Sequence, residues 1–152
     1  MPPTQPRGAF AWPGGDYPIL VRNAGPGWSP PYFGFRVSCN NSGALATEIN
    51  LVGRHLSCYR FGYGAGFYQL VSVYDGQYLR LYANGELIAT SAAHVANLDL
   101  APNGAGAGWA FATSADGAGA PIIGLRAQVL AAAWSADRVA EEWLRTNGNW
   151  IG

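Results

Sequence analysis

The sequence contains no lysine. Its nine basic residues are all arginine, nine acidic residues balance them, and charged residues make up only 12% of the 152 positions. A protein that follows a nucleic-acid backbone needs an excess of positive charge on one face. We therefore expect no nucleic-acid partner.

Long apolar runs are also missing. No stretch approaches the roughly 20 apolar residues that span a bilayer, and residues 1–15 lack the hydrophobic segment of a secretory signal peptide. We therefore expect no signal peptide, no transmembrane segment and no membrane partner in this chain.

Residue types that carry catalysis are sparse. The two histidines are His55 and His94, no serine lies in a G-x-S-x-G motif, and no H-E-x-x-H zinc motif occurs. The one adjacent pair of acids, Glu141 and Glu142, falls in a helical pattern, whereas glycosidase carboxylates converge from strands. We therefore expect a protein that is not an enzyme and that needs no cofactor.

Only two cysteines occur, Cys39 and Cys58, 19 positions apart in predicted strands. Neighbouring antiparallel strands would bring them together, and a disulfide closing this loop is worth roughly 3 kcal/mol. The alternative is two separate buried thiols, since unpaired cysteine is among the most buried residue types. We favour the thiols slightly, and the pattern leaves both states open.

The clearest pattern lies in residues 67–91, FYQLVSVYDGQYLRLYANGELIATS. Three apolar runs are separated by Asp75-Gly76 and by Asn84-Gly85, which are dipeptides that favour type I′ hairpin turns. The sequence therefore predicts a three-stranded antiparallel meander. Its middle strand alternates between two faces, which predicts one buried face and one face open to water or to a partner.

This segment resembles the central hairpins of laminin G-like domains, a group of concanavalin A-like jelly rolls found in lectins, glucanases and pentraxins. Residues 124–143, GLRAQVLAAAWSADRVAEEW, are similar to the last core strand of that family and the short helix after it. The resemblance implies an all-β fold, an antiparallel β-sandwich of jelly-roll, concanavalin A-like type, with one short C-terminal helix. Ser135 is a suitable N-cap for a helix over residues 136–145.

The rest of the chain divides into two predicted regions. Residues 1–31 hold eight of the ten prolines, which predicts an extended arm or packed loop with at most a short edge strand over residues 17–22. Residues 32–152 form the sandwich domain. Further strands are predicted over residues 32–39, 44–52, 55–61, 94–100, 109–113 and 121–134.

Calcium is a possible ligand by the same resemblance, because laminin G-like and pentraxin-like domains often hold Ca²⁺ at a loop rim. The candidate oxygen ligands are Asp16, Asp116 and Asn103. The alternative, that these side chains stabilise turns, is favoured because no two acids lie close together in sequence.

Exposed aromatic residues are the candidate contacts for a glycan or a protein partner. They are Tyr74, Tyr78 and Tyr82 in the meander, Trp109, and Trp12 and Trp28 in the arm. Tyrosine and tryptophan can stack on a sugar ring or lie in a protein interface, and we weigh an interface above sugar binding.

The function expected from these features is that of a non-enzymatic interaction module. Domains of the resembled family mostly work outside cells, whereas this chain shows no signal peptide. Both observations fit a virion surface component. Examples are a capsid decoration protein or a tail-associated protein, which self-associates as a homo-oligomer or docks on a particle. The alternative is a lectin-like module of an extracellular protein that binds a cell-surface glycan.

Overall fold

The computed structural model describes residues 16–23, 33–40, 42–64, 66–99, 109–111 and 127–147. Within these ranges the chain forms eight β-strands and one α-helix. In chain order they are β1 (Asp16–Asn23), β2 (Phe33–Asn40), β3 (Leu45–Leu51), β4 (Arg54–Arg60), β5 (Leu70–Tyr74), β6 (Leu79–Ala83), β7 (Glu86–Thr90), β8 (Trp109–Phe111) and α1 (Ala136–Asn147).

The strands form two antiparallel sheets. The larger sheet has the order β4-β3-β2-β1-β8, and the smaller has the order β5-β6-β7. The predicted three-stranded meander and the single C-terminal helix are therefore confirmed. The architecture is sandwich-like, since the two sheets share one apolar core.

That core follows from the two-residue alternation of the strands. Ile49 and Leu56 project from the larger sheet, and Leu79 and Leu81 project from the smaller one into the same buried cluster. Apolar surface removed from water stabilises a fold by roughly 25 cal/mol per Å². The shared cluster is therefore the main force that holds the two sheets together.

A hydrogen bond between two hydroxyl groups crosses this core from one sheet to the other. The Ser72 hydroxyl on β5 lies 2.7 Å from the Thr47 hydroxyl on β3, and Thr47 in turn donates to the Arg36 carbonyl at 3.0 Å. Thr47 is fully buried. Buried hydroxyls are costly without partners, so this chain of bonds fixes how the two sheets lie on each other.

The Thr47–Ser72 pair gives a first expected result. Thr47→Val and Ser72→Ala should each lower the free energy of unfolding by about 1–2 kcal/mol, because each leaves one buried hydroxyl or carbonyl without its partner. The double variant should cost less than the sum of the two, as residues in direct contact are coupled. Urea unfolding of the four proteins measures this, and additive costs would show that the bond is absent.

Helix α1 lies on the outer side of the smaller sheet. The Ser135 hydroxyl accepts a hydrogen bond from the Arg138 amide at 3.2 Å, which confirms the predicted N-cap. Val139 is fully buried against Val73 and Tyr82. The prediction that this face of the meander is open to water or to a partner is therefore wrong where the helix covers it.

Of the two predicted hairpin turns, one has the expected two residues and the other is longer. Asn84 and Gly85 both have positive φ, 52° and 83°, and connect the paired residues Ala83 and Glu86, as a two-residue I′ turn requires. The loop after Tyr74 instead contains four residues. The Asp75 carboxylate accepts the amides of Gln77 and Tyr78, and this local bonding replaces the expected two-residue turn.

Strand β1 is not the predicted edge strand. It pairs with β2 on one side and with β8 on the other, and its Val21 is fully buried. Proline is tolerated there because the register shifts between Pro18 and Leu20, at a bulge where a ladder bond is already missing. Part of the predicted arm therefore belongs to the larger sheet.

Two other predicted strands are not found in the described residues. Residues 94–99 are irregular and contribute only an isolated bridge between Leu98 and Leu51, and residues 127–134 contain no strand. The strand predicted at residue 109 is confirmed as β8, and the helix predicted over 136–145 as α1.

The cysteines are separate buried thiols. Cys39 lies on β2 and Cys58 on β4, and β3 lies between these strands. Strands in a sheet are about 4.8 Å apart, so two thiols on next-but-one strands are too far apart for a disulfide.

Candidate functional site

The three meander tyrosines do not form one exposed stripe. The Tyr74 hydroxyl donates to the carbonyls of His94 and Ala96 at 3.1 and 3.3 Å, and so fastens the 94–99 segment to the smaller sheet. Tyr82 is only 3% exposed under helix α1. A ligand could reach Tyr82 only if the helix moved away.

Tyr78 is half-buried and has a local role. The Arg80 guanidinium lies 5.1 Å from the centre of its ring, and Arg80 also forms an ion pair with Asp75. Slight burial raises the pKa of Asp75, but the backbone amides of Tyr78 and Gln77 and the Arg80 side chain outweigh it and hold the pKa down to about 2. This group orders the β5–β6 loop.

The structure places only some of the other residues that were predicted to bind a glycan, a partner or calcium. Trp109 is 41% exposed on β8 and remains a candidate. Trp12, Trp28, Asp116 and Asn103 lie outside the described residues, and Asp16 is placed only as the first residue of β1. In the described part of the chain no cluster of three or more metal-binding side chains occurs, and the calcium site stays a prediction.

The structure contains a groove that these predictions did not include. It lies on the face of the larger sheet turned away from the core, has a volume of about 290 Å³, and we call it the outer groove. Its floor holds the small residues Ser38, Ala44 and Ala46, while Tyr59 and Phe61 line one part and Arg36 and Glu48 another. The small floor residues provide the depth.

An exposed aromatic pair stands at the outer groove. Tyr59 and Phe61 are 60% and 54% exposed, and their rings meet edge to face with centres 5.4 Å apart. Leu56 and Cys58 of the same strand point into the core, so the alternate positions 57, 59 and 61 point outward. Two large rings left in water are the kind of surface that binding sites expose.

A charged cluster lies on the same face. Glu48 on β3 forms an ion pair with Arg36 on β2, and the His55 Nε2 lies 3.3 Å from a Glu48 carboxylate oxygen. Burial raises the pKa of Glu48, but the His55 hydrogen bond and the Arg36 charge outweigh it, so the pKa is lowered below its ordinary value of 4.5. Glu48 is thus an ionised, pre-oriented acceptor at neutral pH.

The lowered pKa of Glu48 has a consequence for stability. A carboxylate whose pKa is lower in the folded state stabilises that state above about pH 4.5, and the contribution disappears as pH falls through the folded-state pKa. Glu48→Gln should therefore cost about 1–2 kcal/mol at pH 7, and this cost should shrink as the pH falls through the lowered pKa of Glu48. Urea unfolding at several pH values measures this, and a cost that does not change with pH would contradict it.

Asp75→Asn gives the matched comparison for that titration. The Asp75 pKa is about 2, so its contribution should persist until the pH falls to about that value. A cost of Asp75→Asn that disappears well above this pH would contradict the assignment of the lowered pKa to the Gln77 and Tyr78 amides and to Arg80.

Cys58 borders the outer groove but is not suited to nucleophilic chemistry. Burial raises the pKa of its thiol to about 11, and the thiol lies 3.6 Å from the Leu79 carbonyl as a weak donor. The thiolate is the reactive form of cysteine, so this side chain is inert at neutral pH.

The chain was compared with models of known families, with curated proteins and with solved structures, and none of the three comparisons gave a match. Among the residues that the structure describes, no helix is long and apolar enough to cross a membrane.

Proposed function

We propose that this protein is a non-enzymatic module that binds a carbohydrate in the outer groove. The observation that carries the proposal is the exposed Tyr59–Phe61 pair beside the ordered Arg36–Glu48 ion pair. A sugar ring has apolar C–H faces that stack on aromatic rings and hydroxyl groups that bond to charged side chains. The groove offers both within one concave surface.

The size of the groove supports a small ligand or one end of a chain. Its volume of about 290 Å³ is at the lower limit of the roughly 300–1,000 Å³ usual for ligand pockets. This suits one or two sugar units.

The experiment is a glycan array probed with the full chain, followed by calorimetric titration of any glycan that binds. Tyr59→Ala and Phe61→Ala should each weaken binding by about tenfold, because a ring contact is worth about 0.5–1.5 kcal/mol beyond the area that it buries. The matched control is Phe67→Ala, an equally exposed aromatic outside the groove. An array without binding, or equal losses in all three variants, would reject the proposal.

We assign the two sheets to a concanavalin A-like jelly roll of the laminin G-like type. The support is the sequence of the meander, its Asn84-Gly85 turn, and a C-terminal helix that begins after Ser135.

A second candidate function is self-association on a virion surface. Three exposed aliphatic side chains lie on two segments that are joined by backbone bonds, since the Val52 amide donates to the Asn97 carbonyl and Leu51 bridges to Leu98. They are Val52, Val95 and Leu98. A neighbouring subunit would cover apolar side chains that are otherwise left in water.

The test of self-association is the mass of the full chain in solution by light scattering. A defined oligomer that becomes a monomer with Val95→Ser and Leu98→Ser would support it, and a monomer at every concentration would reject it. Deletion of residues 1–31 is unsuitable, because it also removes β1 from the larger sheet.

A further inference from the structure

One row of side chains crosses the larger sheet from the core to the surface. Strand pairing places Leu56, Ile49, Phe35, Arg22 and Trp109 side by side in that order on neighbouring strands. Directly paired residues share one face of a sheet. Since Leu56 and Ile49 belong to the buried cluster and Trp109 is exposed, Arg22 lies on the core-facing side where the core ends.

Within the part of the chain that the structure describes, no acid pairs with the charge of Arg22. Its Nε is buried without a hydrogen-bond partner, and its guanidinium contacts the Trp109 ring with 5.8 Å to the ring centre. Among the described arginines, Arg36, Arg80, Arg138 and Arg145 have carboxylate partners. Arg22, Arg54 and Arg60 have none, and of these three only Arg22 is half-buried. A half-buried cation is costly without an acceptor, so this position favours the arrival of an anion.

The surroundings of Arg22 restrict the anion. Trp109 packs on the Phe35 ring with centres 5.7 Å apart, which fixes the indole, and 41% of Trp109 is still exposed. A guanidinium beside an ordered indole suits a ring-bearing ligand that carries a carboxylate, because the fork of N–H groups matches two carboxylate oxygens and the indole offers a surface on which the C–H face of a sugar ring can stack.

We propose that Arg22 and Trp109 form a second binding site, for the carboxylate of an acidic sugar such as a uronic acid. The site lies on the opposite face of the larger sheet from the outer groove, because Arg22 pairs with Phe35 while Arg36 points the other way. It rests on the proposed carbohydrate function only for the choice of a sugar.

The binding test uses glucuronic acid, with glucose as the neutral match and acetate as the carboxylate without a ring. Calorimetry and the Trp109 indole N–H signal report binding to the full chain. Glucuronate should bind and shift that signal, and Arg22→Met should weaken it by about tenfold or more, as a charge-assisted bond is lost. Arg22→Lys should recover only part of the affinity, since lysine lacks the planar fork.

Phe67→Ala is the matched control, because Phe67 is an exposed aromatic outside both proposed sites. It should leave glucuronate binding unchanged. The Trp109 signal reports on this site and not on the outer groove, so the groove proposal can fail while this one stands, and the reverse also holds. Equal binding of glucose and glucuronate, equal binding of acetate and glucuronate, no binding of glucuronate, or no effect of Arg22→Met would each overturn the proposal.

Thermal unfolding of Arg22→Met provides an independent readout. Removing a half-buried cation that has no acid partner should leave the melting temperature unchanged or raise it. A clear fall in the melting temperature would mean that the fold itself supplies an acceptor for Arg22, and the site would then be a structural contact.

Discussion

Replacing Leu81 with alanine is expected to lower the free energy of unfolding by about 3 kcal/mol. Leu81 lies in the centre of β6, is fully buried, and belongs to the cluster that joins the two sheets. Truncating a buried leucine removes its transfer energy and leaves a cavity, with measured costs of about 2–5 kcal/mol. A domain has only about 5–15 kcal/mol of stability in total, so the effect is large.

Chemical unfolding of Leu81→Ala measures this cost, and Leu144→Ala is the control. Leu144 is 74% exposed on α1, and alanine is a strong helix former, so that variant should change stability by less than about 0.5 kcal/mol. Equal effects of the two substitutions would mean that the sheets do not share a core as described.

Replacing Val139 with aspartate is expected to release helix α1 from the smaller sheet. Val139 is fully buried against Val73 and Tyr82, and an unpaired carboxylate in that position costs about 3 kcal/mol or more. The helix should therefore detach while the shared core of the two sheets, which lies on the other side of β6, remains folded.

Hydrogen exchange resolved along the chain tests the release. Amides of α1 should lose protection in Val139→Asp, whereas those of β3 should keep it. Leu144→Asp introduces the same charge on the exposed side of the same helix and should leave α1 protected. Unfolding of the whole chain by Val139→Asp would show that the helix is part of the main cooperative unit.

Local sequence signals predicted the meander and the helix well. Asn84-Gly85 forms its turn because both residues take positive φ, and Ser135 caps α1 because its hydroxyl reaches the Arg138 amide. The predicted hairpin at Asp75 also forms, but its loop has four residues instead of two, because the aspartate side chain bonds to two amides within the loop.

Features that depend on pairing between distant segments of the chain could not be predicted from the local sequence. Proline in residues 17–22 pointed to an edge strand, yet β1 is internal because a bulge accommodates Pro18. The cover over Tyr82 depends on where α1 docks, which no local pattern in the meander reveals.

The outer groove could be predicted from the sequence only in part. Alternation in HLSCYRF does place Tyr59 and Phe61 outside, and that signal was available in the sequence. The partners Arg36 and Glu48 come from two other strands, so the site itself depends on the strand order β4-β3-β2. For Arg22, only the register with Phe35 and Trp109 shows on which face its charge lies.

The most direct test of the account is an NMR titration of the full chain with the best glycan from the array. The ring protons of Tyr59 and Phe61 should shift with the same dissociation constant that calorimetry gives, and those of Phe67 should not. Shifts confined to residues outside the outer groove, or none at saturating glycan, would contradict the claim that this groove is the binding site.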